Sequence, residues 1–269
     1  MSVPPLFILI AEDNRVNQLF MKTLLEREGH SISLANNGRE AYELFQSKDF
    51  DLILMDVQMP DIDGLEAIEI IRRIEKEKAL RPTPIFALSA YDDMQNNNQY
   101  RTAEIDRFLL KPLDTETIQK AIEDFFGEPE EPGESEAAET GVKKKEEKPE
   151  MEIDRNTYQK ELLEEYAHAE ETLRSMIEIA LKDIPVAMTN IEETFRSGDA
   201  RNAAREAHSL ANIAGVLHRP QERDTALIIE EKIEQGEISS AGQYILELKN
   251  QIRHLTATLH TILTSSLAE

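Results

Sequence analysis

Five short apolar runs, "LFILI", "ISLA", "LILM", "IFALS" and "RFLL", punctuate the first 126 residues. Around them lie stretches whose apolar positions recur at helical spacing, over Arg15 to Arg27, Arg39 to Ser47, Gly64 to Leu80 and Thr115 to Phe126. After "IFALS" comes the helix-poor "YDDMQNNNQY". Strands that are apolar throughout, alternating with helices, predict an α/β doubly wound five-stranded parallel sheet covered on both faces. The pattern then stops. "GEPEEPGESEAAETGVKKKEEKPE", Gly127 to Glu150, has almost nothing apolar to bury, and is expected to be a flexible acidic linker.

Beyond the linker the spacing is helical only. One stripe is Leu173, Ile177, Ala180, Ile184, Met188, Ile191 and Phe195, with a kink expected at Pro185. Another runs from Ala241 through Leu248 and Leu255 to Ile262. With the helix "NAAREAHSLANIAGVLH" and the segment Glu222 to Gln235, these predict an all-α, antiparallel four-helix bundle led by a short helix near Asn156 to Leu163. The domain reading is therefore 1–126, linker 127–150, and bundle 151–269.

In "NAAREAHSLANIAGVLH" the apolar stripe is Ala203, Ala207, Leu210, Ala214 and Leu217. His208 is off that stripe. It shares the adjacent face with Arg201, Arg205, Asn212, Gly215 and Arg219, which predicts an imidazole turned away from the core and met by a partner's surface. The plain alternative is a half-exposed helical histidine of no consequence.

Charge narrows the partners. Thirty basic against 53 acidic residues give a net charge of -23, which argues against nucleic acid and anionic membranes. The absence of cysteine excludes disulfides, thiolate metal sites and cysteine nucleophiles. The opening "MSVPPLFILIAED" is too short an apolar run for membrane insertion, so a soluble cytoplasmic protein is expected. No glycine pattern for binding a nucleotide is present.

In open parallel sheets, sites form beyond the carboxyl ends of the strands. There the chain places Glu12 and Asp13, Asp56, Ser89 and Lys111. Three converging carboxylates repel unless a hard cation such as Mg2+ lies among them, while a lysine and a hydroxyl suit phosphoryl oxygens. The set reads as an aspartate nucleophile for phosphoryl transfer.

"ILIAEDNRVNQ", "DLILMDVQMPDIDGLEA", "LSA" and "FLLKPL" resemble the receiver domains of two-component signalling, of the hybrid histidine kinase type and flavodoxin-like fold, over residues 6 to about 126. The resemblance implies that Asp56 is the phosphoacceptor and that Glu12, Asp13, Asp56 and the main-chain carbonyl of Gln58 hold Mg2+. It further implies that Lys111 contacts the phosphoryl group, that Ser89 and Phe108 are the switch residues, and that the Lys111–Pro112 bond is cis. A phosphoaspartate hydrolase fits less well, because its second aspartate would fall at Gln58.

The bundle is similar to histidine phosphotransfer domains, with "HSLANIAG" against a family pattern of roughly H-S-L-K-G-x-x-G. That implies phosphorylation at His208 and docking through Arg201, Arg205, Asn212 and Gly215. Ala211 and Asn212 depart from the pattern, and Arg205 is the candidate substitute for the missing lysine. The expected function is a phosphorelay intermediate: Asp56 accepts a phosphoryl group from a histidine kinase, and His208 exchanges one with another receiver. Partners would be a histidine kinase and a further receiver or phosphotransfer protein. The alternative is a phosphorylated receiver whose bundle serves only for docking or dimerisation.

Overall fold

The computed structural model describes residues 3–89, 104–111, 113, 115–127, 162 and 170–265. The linker apart from Gly127, the leading helix apart from Leu162, the segment 91–100 and Pro112 lie outside the described residues.

The first part contains β1 (Phe7–Ala11), α1 (Arg15–Arg27), β2 (Ser31–Ala35), α2 (Gly38–Ser47), β3 (Leu52–Asp56), α3 (Gly64–Lys78), β4 (Ile85–Ser89), β5 (Arg107–Leu110) and α4 (Thr115–Phe126). The strands form one parallel sheet in the order β2-β1-β3-β4-β5. Every residue of β3 and β4 is buried, which is why these strands read as unbroken apolar runs. With β1 and β3 side by side in the middle, the chain ends of both strands open on one edge of the sheet, so Glu12, Asp13 and Asp56 meet there.

Local chemistry fixes the helix starts. Asn14 accepts the N–H groups of Val16 and Asn17 at the head of α1, Asn37 caps α2 through the Glu40 N–H, and Asp63 caps α3 through that of Glu66. The third helix ends at Lys78 rather than Leu80 because Ala79 turns left-handed, with φ of 52°.

Gly64, the first residue of α3, holds the loop after Asp56 in place. Its N–H donates to the Val57 carbonyl, and a Cβ there would stand 2.0 Å from the Asp56 carbonyl oxygen. Gly64→Ala is therefore expected to push the β3 end out of position. A loss of about 2–4 kcal/mol should follow, read from urea unfolding midpoints.

The second part is a ring of four helices, α5 (Glu170–Ser197), α6 (Ala200–Val216), α7 (Pro220–Glu234) and α8 (Ile238–Ser265). Each packs on the next, and α8 returns to α5. The short connections force antiparallel neighbours. Both predicted stripes are buried apart from the partly buried Phe195, and α5 runs through Pro185 as a single helix.

The two parts share one core. Val16, Phe20, Met21 and Leu24 of α1 belong to the same buried apolar cluster as Leu173, Ile177, Leu210 and Val216 of the bundle, and α1 lies against both α5 and α6. Among the described residues no helix is long and apolar enough to cross a membrane.

Candidate functional site

At the strand ends, the carboxylate oxygens of Glu12, Asp13 and Asp56 lie within 4.8 Å of one another. Glu12 is fully buried and Asp56 is 1% exposed. The Nζ of Lys111 reaches between them, 2.8 Å from Asp56 Oδ2 and 3.1 Å from Glu12 Oε2. Apart from that ion pair, Oδ2 meets no donor although it is buried. The Gln58 N–H donates to Asp56 Oδ1 at 3.2 Å. Ser89 is buried at the end of β4, and its carbonyl accepts the Lys111 N–H. On β5, Phe108 packs half-buried against Val57, Leu65 and Ala87. Thus Glu12, Asp13, Asp56 and Lys111 come together, with the Gln58 backbone at Asp56.

The electrostatics follow from this crowding. Burial pushes the Glu12 carboxyl up to about 7, with Lys111 pulling it down and Asp56 adding to the rise. Burial and then the Glu12 charge lift Asp13 to about 6. Asp56 is also raised, by burial first and by Asp13. Burial works against the Lys111 ammonium, but Asp56 and Glu12 outweigh it and keep the lysine charged. One cation does not neutralise three carboxylates. An all-oxygen donor set with a charge deficit fits a hard divalent cation such as Mg2+.

His208 corrects an expectation. It was expected to stand uncovered on the bundle, yet it is only 4% exposed, because the chain's own first domain lies over that face of α6. The Nδ2 of Asn14 donates to the Ser209 carbonyl at 3.4 Å and to its Oγ at 3.3 Å. Asn14 thus starts α1 with its oxygen and reaches the bundle with its nitrogen. The His208 charge acts on both Asp13 and Asp56, and that of Arg205 on Asp13.

On the other side of the ring, His208 Nδ1 lies 2.9 Å from Glu230 Oε2 on α7. A carboxylate only accepts, so Nδ1 carries a proton, and in the neutral form of the ring Nε2 keeps its lone pair. Burial works to lower the His208 pKa, but the hydrogen bond and charge of Glu230 outweigh it and the pKa is raised.

The other members of the expected docking stripe are divided. Arg201 and Arg205 remain exposed, Gly215 is part-buried, and Asn212 lines a cavity with Glu12, Asn17 and Lys111 of the first domain. Ala211 is buried in the shared apolar cluster. Sequence reasoning missed Glu230 and Asn14, whose partners lie 22 and 195 residues away, beyond any local signal. His30, just beyond the end of α1, is buried and its Nδ1 accepts the Leu6 N–H.

Comparison with known families matches residues 8–123 to the response regulator receiver domain. This part of the chain is a receiver domain. Over 94% of its length the chain is 24% identical to the aerobic respiration control sensor protein ArcB of Escherichia coli, and covers 31% of that protein. Two examples stand for the solved structures to which the chain is similar. One is a Saccharomyces cerevisiae complex of the histidine phosphotransfer protein Ypd1 with the receiver domain of Ssk1, at 29% identity, 47% of this chain, 92% of that one and a TM-score of 0.44. The other is the receiver domain of the sensor histidine kinase PA1611 from Pseudomonas aeruginosa, with magnesium in its active-site cleft, at 30% identity, 46% of this chain, 99% of that one and a TM-score of 0.41. The chain spans 7% to 31% of the length of the curated relatives it matches.

Proposed function

We propose that the chain is a phosphorelay intermediate in which Asp56 takes a phosphoryl group from a histidine kinase and His208 exchanges one with a receiver, including the receiver of the same chain. We assign residues 1–126 to the receiver, 127–150 to a linker and 151–269 to a histidine phosphotransfer bundle. The observation that carries this reading is a juxtaposition: Asn14, next to Asp13 of the acidic cluster, hydrogen-bonds Ser209, next to a His208 held by Glu230, while Asp56 of the same cluster is buried and ion-paired to Lys111.

The step balances without a further reagent. The Nε2 lone pair of His208 attacks phosphorus on Asp56, a P–N bond forms, the P–O bond breaks, and Asp56 leaves as a carboxylate beside Lys111. Phosphohistidine formed this way keeps its Nδ1 proton, and Glu230 neutralises the ring's positive charge. The reverse runs through the same atoms. Glu12, Asp13, Asp56 and the Gln58 carbonyl would hold Mg2+, which when bound neutralises phosphoryl oxygen charge. Lys111 would add its own positive charge to that neutralisation, while Ser89 and Phe108 are the residues through which phosphorylation would be felt. Arg201, Arg205, Asn212 and Gly215 form the docking face, with Arg205 adding cationic charge near Asp13.

Glu230→Ala separates the positioning of His208 from its chemistry. Without that carboxylate, burial loses its main opponent and the His208 pKa falls. The acid limb of the rate of His208 labelling should move to lower pH, and the rate should drop about tenfold or more, in a labelling time course run across pH.

Incubation of the whole chain with labelled acetyl phosphate and Mg2+, followed by base and acid treatment, tests the reading. A base-labile label and a base-stable, acid-labile label should both appear. No base-stable label with any donor, including a labelled kinase, would favour a bundle that only docks.

A further inference from the structure

The cavity between receiver and bundle is lined by Asn17, Phe20 and Met21 of α1, by Glu12 and Lys111 of the acidic site, and by Asn212 and Val216 of α6. Asn17 is 6% exposed, and its Oδ1 is buried with no hydrogen-bond partner. An unpaired buried carbonyl is costly, about 1–3 kcal/mol. Facing the same space is Asn212, whose side-chain amide carries two donors. It stands where the phosphotransfer pattern has a glycine, and is one of the two departures from that pattern.

We propose that Asn212 is a selectivity residue: its amide satisfies Asn17 through one shared water in the cavity between them, and seats the bundle on the receiver of its own chain in preference to others. The inference deepens the function proposed above and rests on the bundle docking a receiver, but not on phosphoryl transfer taking place.

The physical basis is the asymmetry of polar recognition. A glycine at position 212 would leave the Asn17 carbonyl facing a void or a loosely held water. An asparagine there supplies the missing donor, but only to a receiver that presents an acceptor at the same place. A receiver with an apolar side chain at the position of Asn17 would bury the Asn212 amide unpaired, and so be rejected. The Asn14 contact to Ser209 lies one helical turn from this pair on both elements, so the two polar contacts fix the register of the apolar α1 face between them. The departure from the family glycine is then an adaptation to a tethered partner rather than a sign of decay.

The chain has no cysteine of its own, so dyes attach cleanly to cysteines introduced at Glu43 and Leu246, both exposed. Single-molecule energy transfer on the whole chain then gives the ratio of docked to undocked molecules, with no dependence on phosphate. Asn212→Ala, which keeps helix propensity, should lower that ratio roughly five- to thirty-fold, as loss of one buried hydrogen bond implies. Asn17→Ala should lower it similarly, and the double variant no further than either single one. Asn212→Gly should repeat the result, with far-UV circular dichroism checking that α6 is intact. An unchanged ratio in both Asn212 variants, or single effects that multiply in the double variant, would overturn the proposal. A docked ratio that falls as expected in a chain that never labels His208 would leave the selectivity pair standing and remove the relay.

Discussion

Asp56→Asn is expected to lose phosphoryl acceptance from every donor by at least about 1,000-fold, because the amide has no nucleophilic carboxylate oxygen. The fold should survive, since Asn is close in shape and the Gln58 N–H that donates to Asp56 Oδ1 finds the amide oxygen instead. Stability should hold or rise: Asp56 is a carboxyl whose ionisation is opposed by burial and by Asp13, so removing the charge relieves repulsion in a crowded cluster. Lys111 retains Glu12 at 3.1 Å as a counterion. The discriminating result is a variant that folds as well as the parent by thermal unfolding yet takes no label from acetyl phosphate or from a phosphorylated kinase. Undiminished labelling would move the acceptor elsewhere.

His208→Gln should abolish the base-stable label and leave the base-labile one. Glutamine retains an amide N–H to offer Glu230, so α6 and α7 stay joined, but it has no lone pair nucleophilic enough to take phosphorus. If His208 is the only outlet within the chain, label on Asp56 should also last longer in this variant, which a chase with unlabelled donor measures. Persistence of base-stable label would point to another histidine. His30 is a poor candidate, because its Nδ1 already accepts a main-chain N–H in a buried position.

Much of this was legible in the sequence, and for identifiable reasons. Strands covered on both faces must be apolar throughout, so "LILM" and "IFALS" announced β3 and β4. The start of α1 was readable because Asn14 caps it, whereas the end of α3 was not, because the left-handed turn falls on Ala79 and carries no glycine signal. The acidic cluster followed from strand ends alone. The apolar stripe of α6 was also legible, since Ala203, Ala207, Leu210, Ala214 and Leu217 are all buried, but the covering of His208 was not. A periodic pattern shows which face a helix turns from its own core and is silent on what covers that face. Here the cover is the first domain, whose Asn14 reaches Ser209 from 195 residues away.

The shared apolar cluster around α1 has a consequence for how the chain comes apart. Phe20 and Met21 contribute to the interior of a sheet domain and line the contact with a helical bundle, so the two halves are not independent cooperative units. Each stabilises the other as a ligand of high local concentration would, by mass action on the folded form alone. Probes placed in the sheet and in the bundle should therefore report one coincident melting transition. A receiver cut free of its bundle would carry the α1 stripe into water, and would be less stable and stickier than its size suggests.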